Sequence, residues 1–551
     1  MQQSSSTADG THRLAVDVRR LPWIRRLAAD YAFEHEQVAP FFAGNPRRRE
    51  AWEAVIDAVR RFDRPRRAVA ELVAMQLRER GAPAAAREAA ALLADSSSVA
   101  IVTGQQAGLF GGPLFTLLKA VTTLRLARRV ADEHRVPVVP IFWIDSEDHD
   151  WEEVRACGVL DADLNLREIE APAPDGAGER AVGTLRWSDD IAKAIDQVAD
   201  ALPASEARDR TVALLRRAYT AGRTVSESFA HLLDALLGPE GLVVFDACDR
   251  RAKPLYAGIL VSELEHPGRT TRAAADAGAE LVARGYHMQV SPHEDSAAVF
   301  HLPDGRRPIR VQNGTFVLAG GDRIPVRALA ERARTQPEGF SPNVLLRPVV
   351  QDTLFPTACY VAGPNELGYL AQLRGVYESF GVPRPLVQLR ASATLLDAAG
   401  VRFLTRYGVP LETLGARDER ALNELLIRLL PPDVERSVRE ARDAITARME
   451  AVIAAVPAID PTLEGKARSV LGRMEHELST LQSKILQAAK RRDETLRRQY
   501  QHVQAQAFPR GEPQERIVGG VSFLGRCGEL LVRRLLEELP LDGGTHWVLT
   551  V

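Results

Sequence analysis

Lysine is nearly missing from this chain. Of its 71 basic side chains, all but Lys119, Lys193, Lys253, Lys466, Lys484 and Lys490 are arginine. Against that bias a surviving lysine is either chance or a residue kept for what arginine cannot do, a compact charge with a tunable pKa. Cysteine is scarce too: Cys157, Cys248, Cys359 and Cys527 stand far apart, in no paired spacing for zinc or redox chemistry. Four lone thiols fit a reducing cytosol better than a disulfide scaffold. Neither charge is in excess, the net value being −2, so composition offers no electrostatic case for a nucleic-acid or membrane partner. No apolar run approaches the ~18 residues of a membrane-spanning helix. Residues 1–10 are polar and lack the apolar core of a signal peptide, and residues 1–12 are expected to carry no fixed fold. The expected protein is soluble and cytoplasmic, and its 551 residues are too many for one core.

What is present is organised around residues 99–154. Val99 to Val102 is a short β-branched run, as a buried parallel strand should be. Gly104, Gly108, Gly111 and Gly112 follow, then Pro113, which suits a first helical position. Leu114, Leu117, Leu118, Val121 and Leu124 continue at helical spacing. Val138 to Ile144 is a second buried strand, and it ends in a burst of acids and imidazole from Asp145 to Glu153. Open α/β sheets bind ligands at the carboxyl ends of their strands, so the chemistry is expected there.

Four parts follow from this. Residues 1–98 read as an N-terminal helical part packed on the core. Residues 99–392 read as an α/β core, a parallel sheet with helices on both faces, with further strands at Gly241–Asp246, Cys359–Ala362 and Leu386–Arg390. An alternating stretch at about 299–326 reads as a small antiparallel meander inserted into it. Residues 393–505 read as nearly all helix, and 506–551 as a tail returning to the core. Within the helical part, Leu471, Met474, Leu478, Leu481, Ile485 and Ala488 keep the three-four spacing of a coiled-coil seam, with a register slip near Arg492. A helix from about Pro461 to Ala505 would span roughly 65 Å. A helical hairpin packed on itself is the alternative to a dimerising coiled coil.

The glycine loop is neither a P-loop nor a dinucleotide fingerprint. Free N–H groups and a helix dipole converging at Gly111 and Gly112 still favour an anion, with Gln105 and Gln106 before them and Thr116 and Lys119 on one helix face. The alternative is a tight strand-to-helix turn with a surface lysine. If a helix starts at Asp145, then Asp145 and His149 lie one turn apart and share a ligand or a Mg²⁺, with Glu147 and Asp148 between them. Acids also favour the first turn of any helix, which is the plainer account. Asp352, Asn365 and Glu366 flank a second strand–Gly-Pro–helix turn at Gly363-Pro364, and His287 and His293 read as structural or substrate-side.

Four segments carry a specific resemblance: Val102 to Lys119, Phe142 to Asp150, Ala362 to Tyr369 and Gln514 to Arg516. Together, and in this order, they resemble the bacillithiol-synthesis cysteine ligase family (BshC), over nearly the whole chain. The resemblance implies a Rossmann-like core of nucleotidyltransferase type, connecting-peptide insertions, and a long C-terminal coiled coil that makes a homodimer. It implies that cysteine is joined to glucosaminyl malate through an amide, the last step of bacillithiol synthesis. Amide formation from a free carboxylate requires activation, so ATP and Mg²⁺ are expected, through either an adenylate or an acyl phosphate. In the related class I synthetases a His-Ile-Gly-His motif follows the first strand and a lysine-rich loop the last; here Gly111 to Thr116 and Arg390 to Thr394 stand in their places.

The expected cleft is lined by Gln105, Gln106, Gly111, Gly112 and Thr116, with Lys119 balancing anionic charge and Asp148 and His149 holding the substrate amine or a metal. Asp145, Glu147, Asp352, Asn365 and Glu366 complete the expected substrate-binding set. Two other readings stand beside it: a metal-dependent hydrolase built on Asp145 to His149, and a non-catalytic nucleotide-binding partner whose working surface is the coiled coil.

Overall fold

The computed structural model describes residues 4–6, 12–293, 295–303, 305–318, 321–416, 418–429, 432–492 and 494–551. Its first strands are β1 (Ser4–Ser6), β2 (His12–Asp17), β3 (Val99–Gln105), β4 (Val138–Ile144), β5 (Ala156–Leu160), β6 (Leu166–Glu170) and β7 (Val243–Asp246). The inserted region adds β8 (Ser296–His301), β9 (Arg307–Gln312), β10 (Thr315–Val317), β11 (Arg323–Pro325) and β12 (Phe340–Pro342). The last are β13 (Thr357–Ala362), β14 (Leu386–Leu389), β15 (Ser392–Leu396) and β16 (Thr545–Thr550). The helices that matter for the site are α1 (Arg66–Glu79), α2 (Leu114–His134), α3 (Val225–Leu237), α4 (Arg347–Leu354), α5 (Pro432–Ala455), α6 (Leu463–Arg492), α7 (Glu494–Ala507) and α8 (Gln514–Ile517).

Apolar runs become parallel strands when both faces are covered. Here β14, β13, β3, β4 and β7 stand side by side in that order, all parallel. On one face Leu117, Leu118 and Val121 of α2 and Phe229 of α3 pack with Phe142 and Val244. On the other, Val69, Val73 and Leu77 of α1 pack with Val102, Ile141 and Phe245. Each such side chain contributes about 1.5–3 kcal/mol by leaving water. The carboxyl ends of β3, β4, β7, β13 and β14 therefore open together at one edge of a rigid slab.

The inserted region forms an antiparallel sheet of order β11-β10-β9-β8-β12. Within the stretch 299–326, residues 304, 319 and 320 lie outside the described residues.

The two ends of the chain correct the sequence reading. Residues 393 onward do not begin as helix: β15 runs parallel to β16, β16 pairs antiparallel with β2, and β2 with β1. Part of residues 1–12, expected to be without structure, is thus a strand at Ser4–Ser6; residues 1–3 and 7–11 lie outside the described residues. A short apolar run such as that of β15 cannot be assigned by periodicity alone, and its partner lies more than a hundred residues away.

Within the chain, α5 and α6 fold back on each other as a hairpin arm. α5 and α6 pack side by side, with the Arg442 guanidinium donating to Gln482 Oε1 at 2.9 Å and the Thr446 hydroxyl to Glu475 Oε1 at 3.3 Å. Leu471, Leu478 and Ile485 are half-buried, whereas Val452, Met474 and Leu481 remain exposed. The register slip near Arg492 falls where the side chains of 489–492, and residue 493, lie outside the description. α7 then returns to the body, burying Leu496, Tyr500 and Val503 against Phe403, Leu404 and Val548.

Candidate active site

The acid-rich segment after β4 is a turn, not a helix; the helix there is a single turn, Trp151–Val154. Its side chains consequently part in two directions. Ser146 and Glu147 go inward. The Ser146 hydroxyl donates to Ile144 O at 3.4 Å and to Asp246 Oδ1 at 2.5 Å, and Asp246 also accepts from the Ser226 hydroxyl at 2.7 Å. Glu147 is ion-paired with Lys253, and both are buried. Asp145 and Asp148 face outward: Asp145 meets Arg347 of α4 at 3.4 Å, and Asp148 meets Arg306 at 3.2 Å. Gln106 donates to Asp148 Oδ2 at 2.8 Å, and His149 Nδ1 lies 3.3 Å from Asp148 Oδ1 and 3.4 Å from Arg306 Nη1.

Charge follows this geometry. Burial pushes the Asp145 carboxyl up, with Arg347 opposing. Burial also raises the Glu147 carboxyl, against the pull of Lys253. For Asp148, burial is outweighed by Arg306, the His149 N–H and Gln106, which hold it below its ordinary value. Each acid thus has a different cation, and among the described residues no three His, Cys, Asp or Glu side chains converge as a metal cage.

A second cluster lies between β3 and β13. Lys119 is 2 % exposed and its ammonium is fully engaged, donating to Gly104 O at 2.8 Å and Gln105 Oε1 at 3.0 Å and pairing with Glu366 at 2.5 Å. Glu366 also accepts from Tyr360 at 3.0 Å, Tyr369 at 3.2 Å and the Gly363 N–H at 2.6 Å. Burial lowers the Lys119 pKa against the opposing pull of Glu366, while Lys119 outweighs burial at Glu366 and keeps it ionised. Lys119 is therefore neither a surface lysine nor a free cation for a ligand; it braces Gln105 and Glu366.

The glycine loop is closed rather than open to an anion. Gly111 and Gly112 donate to Gly108 O and Leu109 O at 3.1 and 3.0 Å, and Leu114, the first residue of α2, donates to Val518 O of the tail at 2.8 Å. Gly112 has φ 68° and ψ −165°, a region essentially restricted to glycine. Thr116 is buried, its hydroxyl turned toward Gly112 without a hydrogen-bond partner. The expected lining by Gly111, Gly112 and Thr116 is thus corrected: the chain's own tail occupies the helix N-terminus. Asp352 is also elsewhere, buried with Tyr377 and Gln351, its carboxyl raised by burial to about 6. Asn365 is exposed on the Gly363–Glu366 turn.

What remains is a cavity of about 430 Å³ with Trp143 among its walls. Asp145 and Asp148 line it together with Arg306, Arg310, Arg347 and His293, and the Lys253-paired Glu147 forms part of its floor. The Nε atoms of Arg306 and Arg347 and the indole Nε1 of Trp143 are buried without a hydrogen-bond partner. The arginines escaped the sequence reading because arginine is everywhere in this chain. Lys253 was visible only as one of six lysines.

The sequence model described as "Bacillithiol biosynthesis BshC, N-terminal Rossmann-like domain" matches residues 14–391, and that described as "Bacillithiol biosynthesis BshC, C-terminal coiled-coil domain" matches residues 393–551. The chain belongs to the BshC family. A BshC of Salinibacter ruber is 34 % identical over 95 % of this chain and 96 % of its own length. Those of Koribacter versatilis and Solibacter usitatus are 33 % and 29 % identical, over 80 % and 98 % of this chain and 81 % and 100 % of their own lengths. All three carry the name "Putative cysteine ligase BshC". The BshC match covers both the parallel sheet that frames the cavity and the arm with its returning tail. Among the described residues no helix is long and apolar enough to cross a membrane.

Proposed function

We propose that this ligase joins cysteine to glucosaminyl malate through an amide, in the cleft at the carboxyl ends of β3, β4 and β13. One observation carries the reading beyond the family: the cleft alternates charge, Arg347 with Asp145 and Arg306 with Asp148, with Arg310 beyond. Substrates that bear both carboxylate and ammonium groups, such as an amino acid and an amino sugar malate, match such a wall on both signs. The arginines hold carboxylates; Asp145 and Asp148 hold ammonium groups. With its Nδ1–H donated to Asp148, His149 keeps a lone pair on Nε2 that accepts a proton. The ammonium gives up one proton to water before it attacks; as its nitrogen bonds to the acyl carbon and AMP or phosphate departs, His149 takes the second proton.

ATP supplies the activation of the carboxylate. The unpartnered Nε of Arg306 fits an incoming phosphate or carboxylate. The donor set does not fit a protein-held Mg²⁺, since each cleft acid is paired with its own cation; the ion fits only as a passenger on phosphates. The exposed Val452, Met474 and Leu481 on the arm support a homodimer, since such side chains gain by leaving water. The cytoplasm is the compartment in which this chemistry and four free thiols belong together.

The experiment is product detection by mass spectrometry with purified protein, cysteine, glucosaminyl malate, ATP and Mg²⁺. Cysteinyl amide formed in step with AMP or ADP supports the reading and names the activation route. A folded protein that makes none overturns it.

A further inference from the structure

We propose that Lys253 is a positioning residue of this cleft: it locks the inserted sheet to the acidic turn and thereby sets the Arg306–Asp148 pair. This rests on the ligase reading for its consequence in turnover, but not for its geometry. Lys253 follows β7 in sequence and is 2 % exposed. Its ammonium is shared between two elements. One contact is the Glu147 carboxylate, in the turn after β4; the other is Phe340 O of β12, at 2.7 Å. The stem lies near Tyr256, with the ammonium 5.6 Å from its ring centroid.

From these two contacts the path closes into a ring. Glu147 is the immediate neighbour of Asp148. Phe340 lies two residues before Pro342, whose carbonyl accepts from Arg306 Nη2 at 3.3 Å. Arg306 Nη1 in turn donates to Asp148 Oδ1 at 3.2 Å, and its guanidinium lies 4.0 Å over the Phe300 ring. Arg306 belongs to the insertion and Asp148 to the core, so their relative position is fixed only as well as the insertion is fixed to the turn. Lys253 makes that joint. An arginine could not replace it: a planar fork needs more room and spreads its charge, whereas one ammonium serves a carboxylate and a carbonyl from a single point. The same arrangement stands behind the other cleft pair. Lys119 holds Glu366, Glu366 accepts from Tyr369, and the Tyr369 hydroxyl accepts from Arg347, the partner of Asp145. Among the described residues the two buried lysines thus each back one Asp–Arg pair.

Lys253→Met alone strands Glu147 as a buried charge and is a poor test, because it can unfold the region. The informative protein is the full-length double variant Lys253→Met/Glu147→Gln, which removes both charges and keeps both shapes. Hydrogen–deuterium exchange is read on peptides covering 145–150 and 306–312, together with melting temperature and steady-state ligation. The expected result is exchange at least tenfold faster in those two stretches, with β3 and β4 unchanged. A melting temperature close to wild type and kcat/KM at least tenfold lower complete it. Wild-type exchange in both stretches overturns the proposal whether or not the wild-type protein ligates. Restored folding together with restored turnover also overturns it, because the pair would then be a matter of stability alone. Absence of product from the wild type defeats the ligase reading and leaves the exchange result to decide the joint.

Discussion

Glu515→Gln preserves the shape of a side chain and removes its charge from against Arg390. The two side chains are each 4 % exposed and meet through hydrogen bonds of 2.7 and 2.9 Å. Ser392 and the Ala393 N–H donate to the same carboxylate, and Ser392 also meets His546 at 2.7 Å. Burial alone would raise the Glu515 carboxyl, but Arg390 chiefly outweighs it and holds it at about 2, against an ordinary 4.5. At about 1.4 kcal/mol per unit, that depression contributes ~3 kcal/mol to folding at neutral pH. The cost of stranding one member of a buried ion pair, about 3–5 kcal/mol, agrees.

Acid removes this contribution. Between pH 4.5 and 2 the unfolded chain binds the proton that the folded Glu515 refuses, so stability is complete above 4.5 and falls toward 2. His546 acts in the adjoining window. Burial holds its imidazole neutral to about 4 rather than 6.5, so the unfolded chain takes that proton first and stability falls from pH 6.5 downward. Urea unfolding of wild type and Glu515→Gln at steps from pH 7.5 to 3 reads both effects. The variant is expected to be ~3 kcal/mol less stable at pH 7.5, with the gap closing below pH 4.5. A gap under about 1 kcal/mol, or one independent of pH, refutes the argument.

Asp148→Asn should leave melting within a few degrees and lower kcat/KM about 10- to 100-fold, since it weakens the contacts that orient Arg306 and His149. Gly112→Ala should cost about 1–3 kcal/mol, read as a lower melting temperature, because a side chain is forced into a glycine-only conformation. Met474→Glu/Leu481→Glu should shift the particle from dimer to monomer by light scattering with the fold unchanged by circular dichroism; a monomeric wild type would refute the dimer. Chelation by EDTA in the absence of nucleotide should leave the melting temperature unchanged, and a drop would reopen the case for a protein-held metal.

The core was readable because burial on both faces leaves its mark in sequence. Val99–Val102, Val138–Ile144 and Cys359–Ala362 are apolar runs with no alternation, and each is a central or near-central strand. The acidic burst could likewise be placed at a strand end. Which acids face a ligand could not, because that depends on whether 145–150 is helix or turn. The turn sends Glu147 inward to Lys253 and Asp148 outward to Arg306, partners 106 and 158 residues away. The glycine loop misled for a related reason. Four glycines announce a tight or anion-binding backbone alike, and only Val518 O, from the far end of the chain, decides between them. Strands β15 and β16 were lost because neither pairs with a sequence neighbour.

That last pairing has a consequence for how the molecule is made. β16 lies between β2 and β15, so the first long strand to leave the ribosome has for a partner the last one. At about 5–20 residues per second, β2 waits roughly half a minute to two minutes with an unpaired edge. The parallel sheet can assemble well before then, whereas Arg390 still lacks Glu515 and the first turn of α2 lacks Val518 O. A nascent chain therefore holds a formed slab with an unfinished rim, and its dependence on chaperones should be concentrated in that interval rather than spread over synthesis.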